Sequence, residues 1–339
     1  MLKIALIWLS LFAATLSTAA GAAWNDRPAP SPLSVQTGAG DTYMGIRLLG
    51  SLRLPPVSVA GQTLGSLSGL AWDEDDHVLY AVSDRGVLFQ LRPVLAKERL
   101  TDVQLLAAYP LRDAMGQPLK APWGDAEGLT LDRGANGVTG DGELIVSFER
   151  RPRLVRYSPK GDQLGLERLP VNLSKAGSYA EGNKALEAVT RHPRWGLLTA
   201  PELPFRGERD GYVPITAANG RAWSYPLHSA PQSSLVAMEA LPDGDLLTLE
   251  RAFVSVLRPL VIALRRTRLT AAGEGPLKVD NVAVFDTSQG WLMDNFEGLT
   301  RHRGQRFFMV SDDNNSPLQR TLLVYFELLD TKKGVSQKN

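Results

Sequence analysis

Apolar residues along this chain fall in short β-type runs, and the runs come in pairs. LSGLAWDEDDHVLYAVSD, from Leu67 to Asp84, is one such pair; NFEGLTRHRGQRFFMVSD, from Asn295 to Asp312, repeats its plan. In each, two apolar runs flank a turn rich in Gly, Asp, Asn or Pro, which predicts a β-hairpin. Five frames of this kind are present: SGLA at Ser68, EGLT at Glu127, EAVT at Glu187, EALP at Glu239 and EGLT at Glu297, spaced 52–60 residues apart. Third apolar runs such as VLFQLR, RLVRY and TLLVYFEL follow most of them.

Hairpins recurring at this period, with further strands behind them and no stretch of helical periodicity, predict an all-β radial array. The expected fold is a single β-propeller of five four-stranded blades. A sixth blade is left open in the divergent stretch from Arg206 to Ser233. Gly45 to Pro55 has no hairpin partner of its own, whereas the last frame has only three strands. The N-terminal segment is therefore expected to pair with Thr321 to Leu328 and close the ring.

The chain ends read differently. Lys3, an apolar run from Ile4 to Leu16 and small residues up to Ala22 have the layout of a cleaved signal peptide over residues 1–22. A Pro/Ser-rich linker over 23–40, a propeller domain over 41–330 and a polar tail over 331–339 complete the expected organisation. A periplasmic or secreted protein follows, with no membrane span after cleavage and no need of disulfides, since the chain has no cysteine. Net charge is +1, which gives no electrostatic case for nucleic acid. A monomer is expected.

Propeller geometry brings the start of each first strand and the end of each second strand to one face, because the strands run antiparallel. Acids stand at both places: Glu127, Glu187, Glu239 and Glu297 at the starts, with Ser68 in the odd copy. Asp84, Glu149, Glu202, Glu250 and Asp312 stand at the ends, with Asp313 beside the last. Carboxylates so gathered repel unless protonated, paired or bound to a cation. Hard oxygen donors in a flexible ring suit Ca²⁺. Arg85, Arg150 and Arg251 directly follow three of these acids and Lys184 precedes Glu187, as basic groups suited to phosphate or carboxylate. Arg206 lies in a loop expected to overhang this mouth and touch substrate. The competing reading is that each Glu caps backbone N–H groups of the neighbouring blade.

Other chemistry is excluded more firmly. GSLSG at Gly65 has Leu67 at its centre and fails the nucleophile-elbow pattern. The four histidines form no metal-binding pair, and no Gly-rich phosphate loop is present.

The motifs LSGLAWDEDDHVLYAVSDRG, DAEGLTLD, NKALEAV and DNFEGLTRHRGQRFFMVSDDNN resemble the phytase-like family of exported bacterial proteins, over roughly Gly45 to Leu328. The resemblance implies a propeller related to calcium-dependent phytases, with Asp84, Glu127, Glu187, Glu297 and Asp312 among the acids of the family pattern. Glu239 joins them here by its place in the repeat. Ala188 and Ala240 stand where the family has Gly. The expected activity is Ca²⁺-dependent hydrolysis of a small-molecule phosphate ester, with Arg85, Arg150 and Arg251 as catalytic groups and Lys184 and Arg206 touching substrate. A lactonase-like or carboxylic esterase propeller and a non-catalytic scaffold are the alternatives.

Overall fold

The structure, a computed structural model, describes residues 27–182, 184–271 and 275–329. The expected signal peptide, its cleavage point and the polar tail lie outside the described residues.

Five antiparallel blades are arranged radially; four are four-stranded sheets running from an inner strand outward in chain order, and the fifth is the four-stranded part of a six-stranded sheet. The inner strands are Leu67–Asp73, Ala126–Asp132, Leu186–His192, Ser233–Ala240 and Asn295–Arg301. Each touches the inner strand of the next blade, and that of blade five touches that of blade one, so the ring is complete. The divergent stretch is not a sixth blade. Tyr212–Ala217 and Ala222–Pro226 within it are the two outer strands of blade three. Blade five takes its outermost ladder from the other end of the chain: Leu322–Leu328 pairs antiparallel with Ile46–Arg53, Leu323 facing Leu52.

Residues 27–40 differ from the expected linker. Ala29 and Pro30 pair with Arg53 and Leu52, and Leu33 is buried. The outer edge of Ile46–Arg53 would otherwise expose unpaired backbone groups, and this segment covers it. Among the described residues, helix is confined to the single turn Val171–Ser174 and two short 3-10 segments, and no helix is long and apolar enough to cross a membrane.

The core lies in five seams, one between each pair of blades. Both faces of every blade are covered, which explains the nearly continuous apolar strands such as Val78–Ser83. Fully buried aromatics, among them Phe89, Phe148, Phe285 and Phe326, fill these seams. Each contributes about 1.5–3 kcal/mol relative to an exposed ring. The channel itself is shut at its waist. Leu70, Leu129, Val189, Met238 and Leu299 hold equivalent positions, and the void left at that level is only about 10 Å³. The two mouths are therefore separate compartments.

Candidate functional site

Every inner strand carries a β-bulge at the same height. The register skips one residue at Ser68, Glu187, Val236 and Glu297, and at the Glu127-Gly128 pair in blade two. A bulge turns its extra residue out of the pleat and re-aims the side chain. Three of those five are glutamates.

The following glycine has a separate reason. A Cβ on Gly128 would lie 2.3 Å from the Glu187 carbonyl oxygen and 2.7 Å from Ser147 Oγ. At Gly69 the same atom would lie 2.5 Å from the Glu127 carbonyl oxygen. Adjacent inner strands approach there too closely for a side chain. The repeated Glu-Gly thus combines an acid at the mouth with a close backbone contact.

The same register corrects the fourth copy. Its bulged residue is Val236, three places before Glu239. Glu239 pairs with Leu247 further along the strand and lines the opposite mouth. The resemblance of EALP to EAVT misled because Val236-Ala237-Met238 carries no acid to mark the true position. The glycine-equivalent in blade four is accordingly Ala237, not Ala240.

The second strand is corrected with it. Glu250 pairs with Leu235, as Ser83 does with Leu67 and Phe148 with Ala126. One residue on, where the other blades have Asp84, Glu149, Glu202 and Asp312, blade four has Arg251. Glu250 is fully buried away from the acid mouth and fully satisfied. It accepts from Arg265 at 2.7 Å, from the Tyr225 hydroxyl at 2.6 Å and from the His228 backbone N–H at 2.6 Å. It is a structural ion pair.

Arg251 reaches across the ring. Its Nη1 donates to Glu297 Oε1 at 2.5 Å and to Asn295 Oδ1, and its Nη2 donates to Glu202 Oε1 at 3.0 Å. Burial alone would lower its pKa, but Glu297, Glu202 and Glu187 more than offset this, and the shift is upward. Arg85 and Arg150 sit one residue past the acids, and both are exposed. Arg85 donates to the Thr63 and Gly65 carbonyl oxygens, and Arg150 to Asp125 Oδ2 at 2.8 Å. Lys184 stands at the rim, 3.2 Å from Glu202 Oε1. Arg206 is tied to the Tyr179 and Ala180 carbonyl oxygens.

Two carboxylate groups converge closely enough to share one cation: Asp125, Glu127 and Glu149, and again Glu149, Glu187 and Glu202. Within each trio an oxygen from every member lies within 4.8 Å of the others. Asp125 escaped the sequence reading although DAEGLTLD contains it. It stands two residues before Glu127, as Asn295 stands before Glu297, and that spacing was the available signal.

Burial and mutual repulsion push these acids up. Glu127 and Glu187 lie well above the usual carboxylate range, through burial first and neighbouring glutamates second. Glu149 is pushed up to about 8 by burial, Glu202 and Asp125. Asp312 is pushed up to about 8 by burial and Glu297, against a hydrogen bond from the Asn314 backbone N–H. Glu297 reaches about 7, because burial outweighs the help of Arg251. Asp84, at the rim, is raised by burial, with Arg85 opposing. Two buried atoms in the ring have no hydrogen-bond partner among the described residues: Glu187 Oε2 and Ser68 Oγ. Capping accounts for some of the ring, since Glu149 Oε1 accepts from the Ala185 backbone N–H at 3.2 Å. It leaves Glu187 Oε2 unexplained.

The phytase-like family, whose description is esterase-like activity of phytase, matches residues 62–315. The chain belongs to this family. Among curated proteins none matches. The phytase-like propeller is similar in structure to a gluconolactonase from Xanthomonas campestris, described as important in glucose secondary metabolic pathways. Identity is 15% over 88% of this chain and 95% of that one, with a TM-score of 0.38. It is also similar to the Dos1 propeller, at 9% identity over 83% and 74% of the two chains and a TM-score of 0.32. At those TM-scores neither likeness bears on chemistry.

Proposed function

We propose that the acid mouth is a Ca²⁺-dependent hydrolytic site for a small-molecule ester, in the first place a phosphate ester. The observation that carries the reading is Glu187 Oε2, a buried carboxylate oxygen without a partner among the described residues, surrounded by acids that repel it. An all-oxygen donor set with surplus negative charge fits Ca²⁺. Glu187, Glu149 and Glu202 would hold one ion, and Asp125 and Glu127 with Glu149 a second. Bound calcium supplies positive charge that polarises the ester and offsets charge developing on its oxygens.

The chain's own groups do the rest. Arg251, fixed between Glu202 and Glu297, presents a guanidinium whose position is set before substrate arrives. Asp312 stands beside Glu297, so a proton can be held near a leaving oxygen. A periplasmic or secreted location is part of this proposal, with the signal-like composition of residues 1–22 in its support.

One observation favours a second reading. Arg85 is exposed and spent on the Thr63 and Gly65 carbonyl oxygens and Arg150 is exposed and spent on Asp125, so Arg251 is the most buried of the three expected arginines, and two acids already engage it. A neutral carboxylic ester or lactone would need less anion recognition than a phosphate. Turnover of p-nitrophenyl phosphate with calcium, abolished by chelator, is the expected result. Turnover of p-nitrophenyl acetate or a γ-lactone alone would transfer the site to the second reading. Absence of any turnover, with melting indifferent to calcium, would leave a scaffold.

A further inference from the structure

The mouth on the other side of the waist is a cavity of about 640 Å³, within the usual range for ligand pockets. One step past the waist the five blades present Ala71, Thr130, Thr190, Glu239 and Thr300. An acid in an otherwise small or hydroxylic layer needs a reason.

Three of the four arginines lining this mouth are committed. Arg191 pairs with Asp132, Arg133 with Glu143 at 2.9 Å and Arg303 with Glu74 at 3.3 Å. Arg301 forms no salt bridge among the described residues, although it lines the same cavity. Glu239 interacts with it electrostatically and accepts the Arg301 backbone N–H. Burial pushes Glu239 up to about 8 against the opposing pull of Arg301, which favours the protonated carboxyl at neutral pH. A protonated carboxyl both donates and accepts hydrogen bonds. Thr190 Oγ1 is taken by the Ala240 backbone N–H at 3.1 Å, whereas the Thr130 and Thr300 hydroxyls have no protein partner among the described residues. Trp72, its Nε1 fixed on Glu74 at 2.8 Å, gives the cavity one aromatic wall.

We propose that this second mouth binds a small hydroxylated anion, its charged end on Arg301 and its hydroxyls against Glu239, Thr130 and Thr300. A guanidinium without a salt bridge among the described residues, a hydrogen-bonding carboxyl and two hydroxyls within one cavity are complementary to that chemistry and to neither a neutral apolar molecule nor a cation. The apolar waist makes this site independent of the acid mouth.

Isothermal titration of the full chain with D-glycerate, inorganic phosphate and glycerol tests it, with chelator present to keep calcium off the acid mouth. Glycerate should bind saturably, one per chain, and glycerol should not. Phosphate binding more tightly than glycerate would support the same site with a phosphoryl group as its anion. Arg301→Ala should weaken binding about tenfold or more, the usual scale for loss of a charge-assisted contact. Glu239→Ala should weaken it several-fold, and Arg301→Lys should retain part of it. Melting curves establish that each variant folds; if Arg301→Ala does not, Arg301→Lys and Glu239→Ala decide. No saturable binding of either anion overturns the proposal. So does equal binding of glycerol, or an affinity that the Arg301 and Glu239 variants leave unchanged.

Discussion

Arg251 donates to Glu297 Oε1 at 2.5 Å from the position where each of the other four blades carries an acid. One substitution in a five-fold pattern thus supplies the cation that a ring of carboxylates lacks. Truncating Arg251 to Met should leave buried Glu297 without its charged partner and Glu202 with Lys184 alone. The expected loss is about 3–5 kcal/mol, the scale for breaking a buried ion pair from one side. Urea unfolding with chelator measures it, and calcium should restore much of the difference. A variant as stable as wild type in chelator would show that the pair contributes nothing.

Glu187→Gln keeps the shape of the side chain and removes one charge. With chelator the variant should melt at or above the wild-type temperature, because repulsion is relieved. Calcium at a hundredfold excess over its dissociation constant should stabilise wild type by about 2.7 kcal/mol and the variant by less. A capping role predicts the reverse order: no calcium response in wild type, and a variant weaker by about 1 kcal/mol.

The ring also predicts a pH dependence. Glu149 and Glu297 rise from 4.5 to about 8 and about 7, and Asp312 rises from 3.8 to about 8. Folded values above unfolded ones mean that the native chain binds the extra protons. Their contribution to stability is complete below about pH 4 and lost as pH rises through 7 to 8. The melting temperature of chelated protein should therefore fall between pH 5 and 8.5, and calcium should flatten the fall. A rise over that interval would contradict the assigned shifts.

His302 acts with the opposite sign. It is buried at the opposite mouth, with Nδ1 2.7 Å from the Tyr325 hydroxyl, and burial depresses its pKa from 6.5 to about 4. The neutral ring is the native form, so this contribution is complete above pH 6.5 and lost as pH falls towards 4. The slope is at most about 1.4 kcal/mol per pH unit. Unfolding of wild type and His302→Gln, compared at pH 6.5 and 4.5, should show a smaller acid loss in the variant.

Gly128→Ala tests the close approach of inner strands. The added methyl would sit 2.3 Å from a backbone oxygen, so the blade must move. A loss of about 1–3 kcal/mol is expected, as for overpacked cores. Gly165→Ala, where nothing lies within 4 Å, is the control and should change little.

Hairpins, blade number and the pairing partner of Gly45 to Pro55 were legible because strand runs and turn residues are local, and because an unpaired strand must find an edge. The mouth acids of blades two, three and five were legible for the same reason: Glu-Gly or Glu-Ala marks a bulge. Blade four was not. Its bulge holds Val236, an apolar residue indistinguishable in sequence from its neighbours, and Glu239 and Glu250 offered false matches on either strand. Only hydrogen-bond register separates Glu250, bonded to Arg265, from Arg251, bonded to Glu202 and Glu297. The partners of Arg85 and Arg150 were equally hidden, since Arg85 is held by backbone carbonyl oxygens that no side-chain pattern marks and Arg150 by Asp125, which the reading passed over.

The pairing of Ile46–Arg53 with Leu322–Leu328 has a consequence for how the chain comes to be made. Those strands are separated by nearly the whole polypeptide, so the sheet that contains both is among the slowest contacts to form. A ribosome that has not yet delivered Leu322 has made four blades and an orphan ladder. Until then Ile46–Arg53 presents bare backbone donors and acceptors on that side, a template for any neighbouring chain. A chain threaded through a membrane unfolded and released whole meets both halves of its last blade at once. A product truncated before Leu322 never does, and carries on its surface the edge that marks it as unfinished.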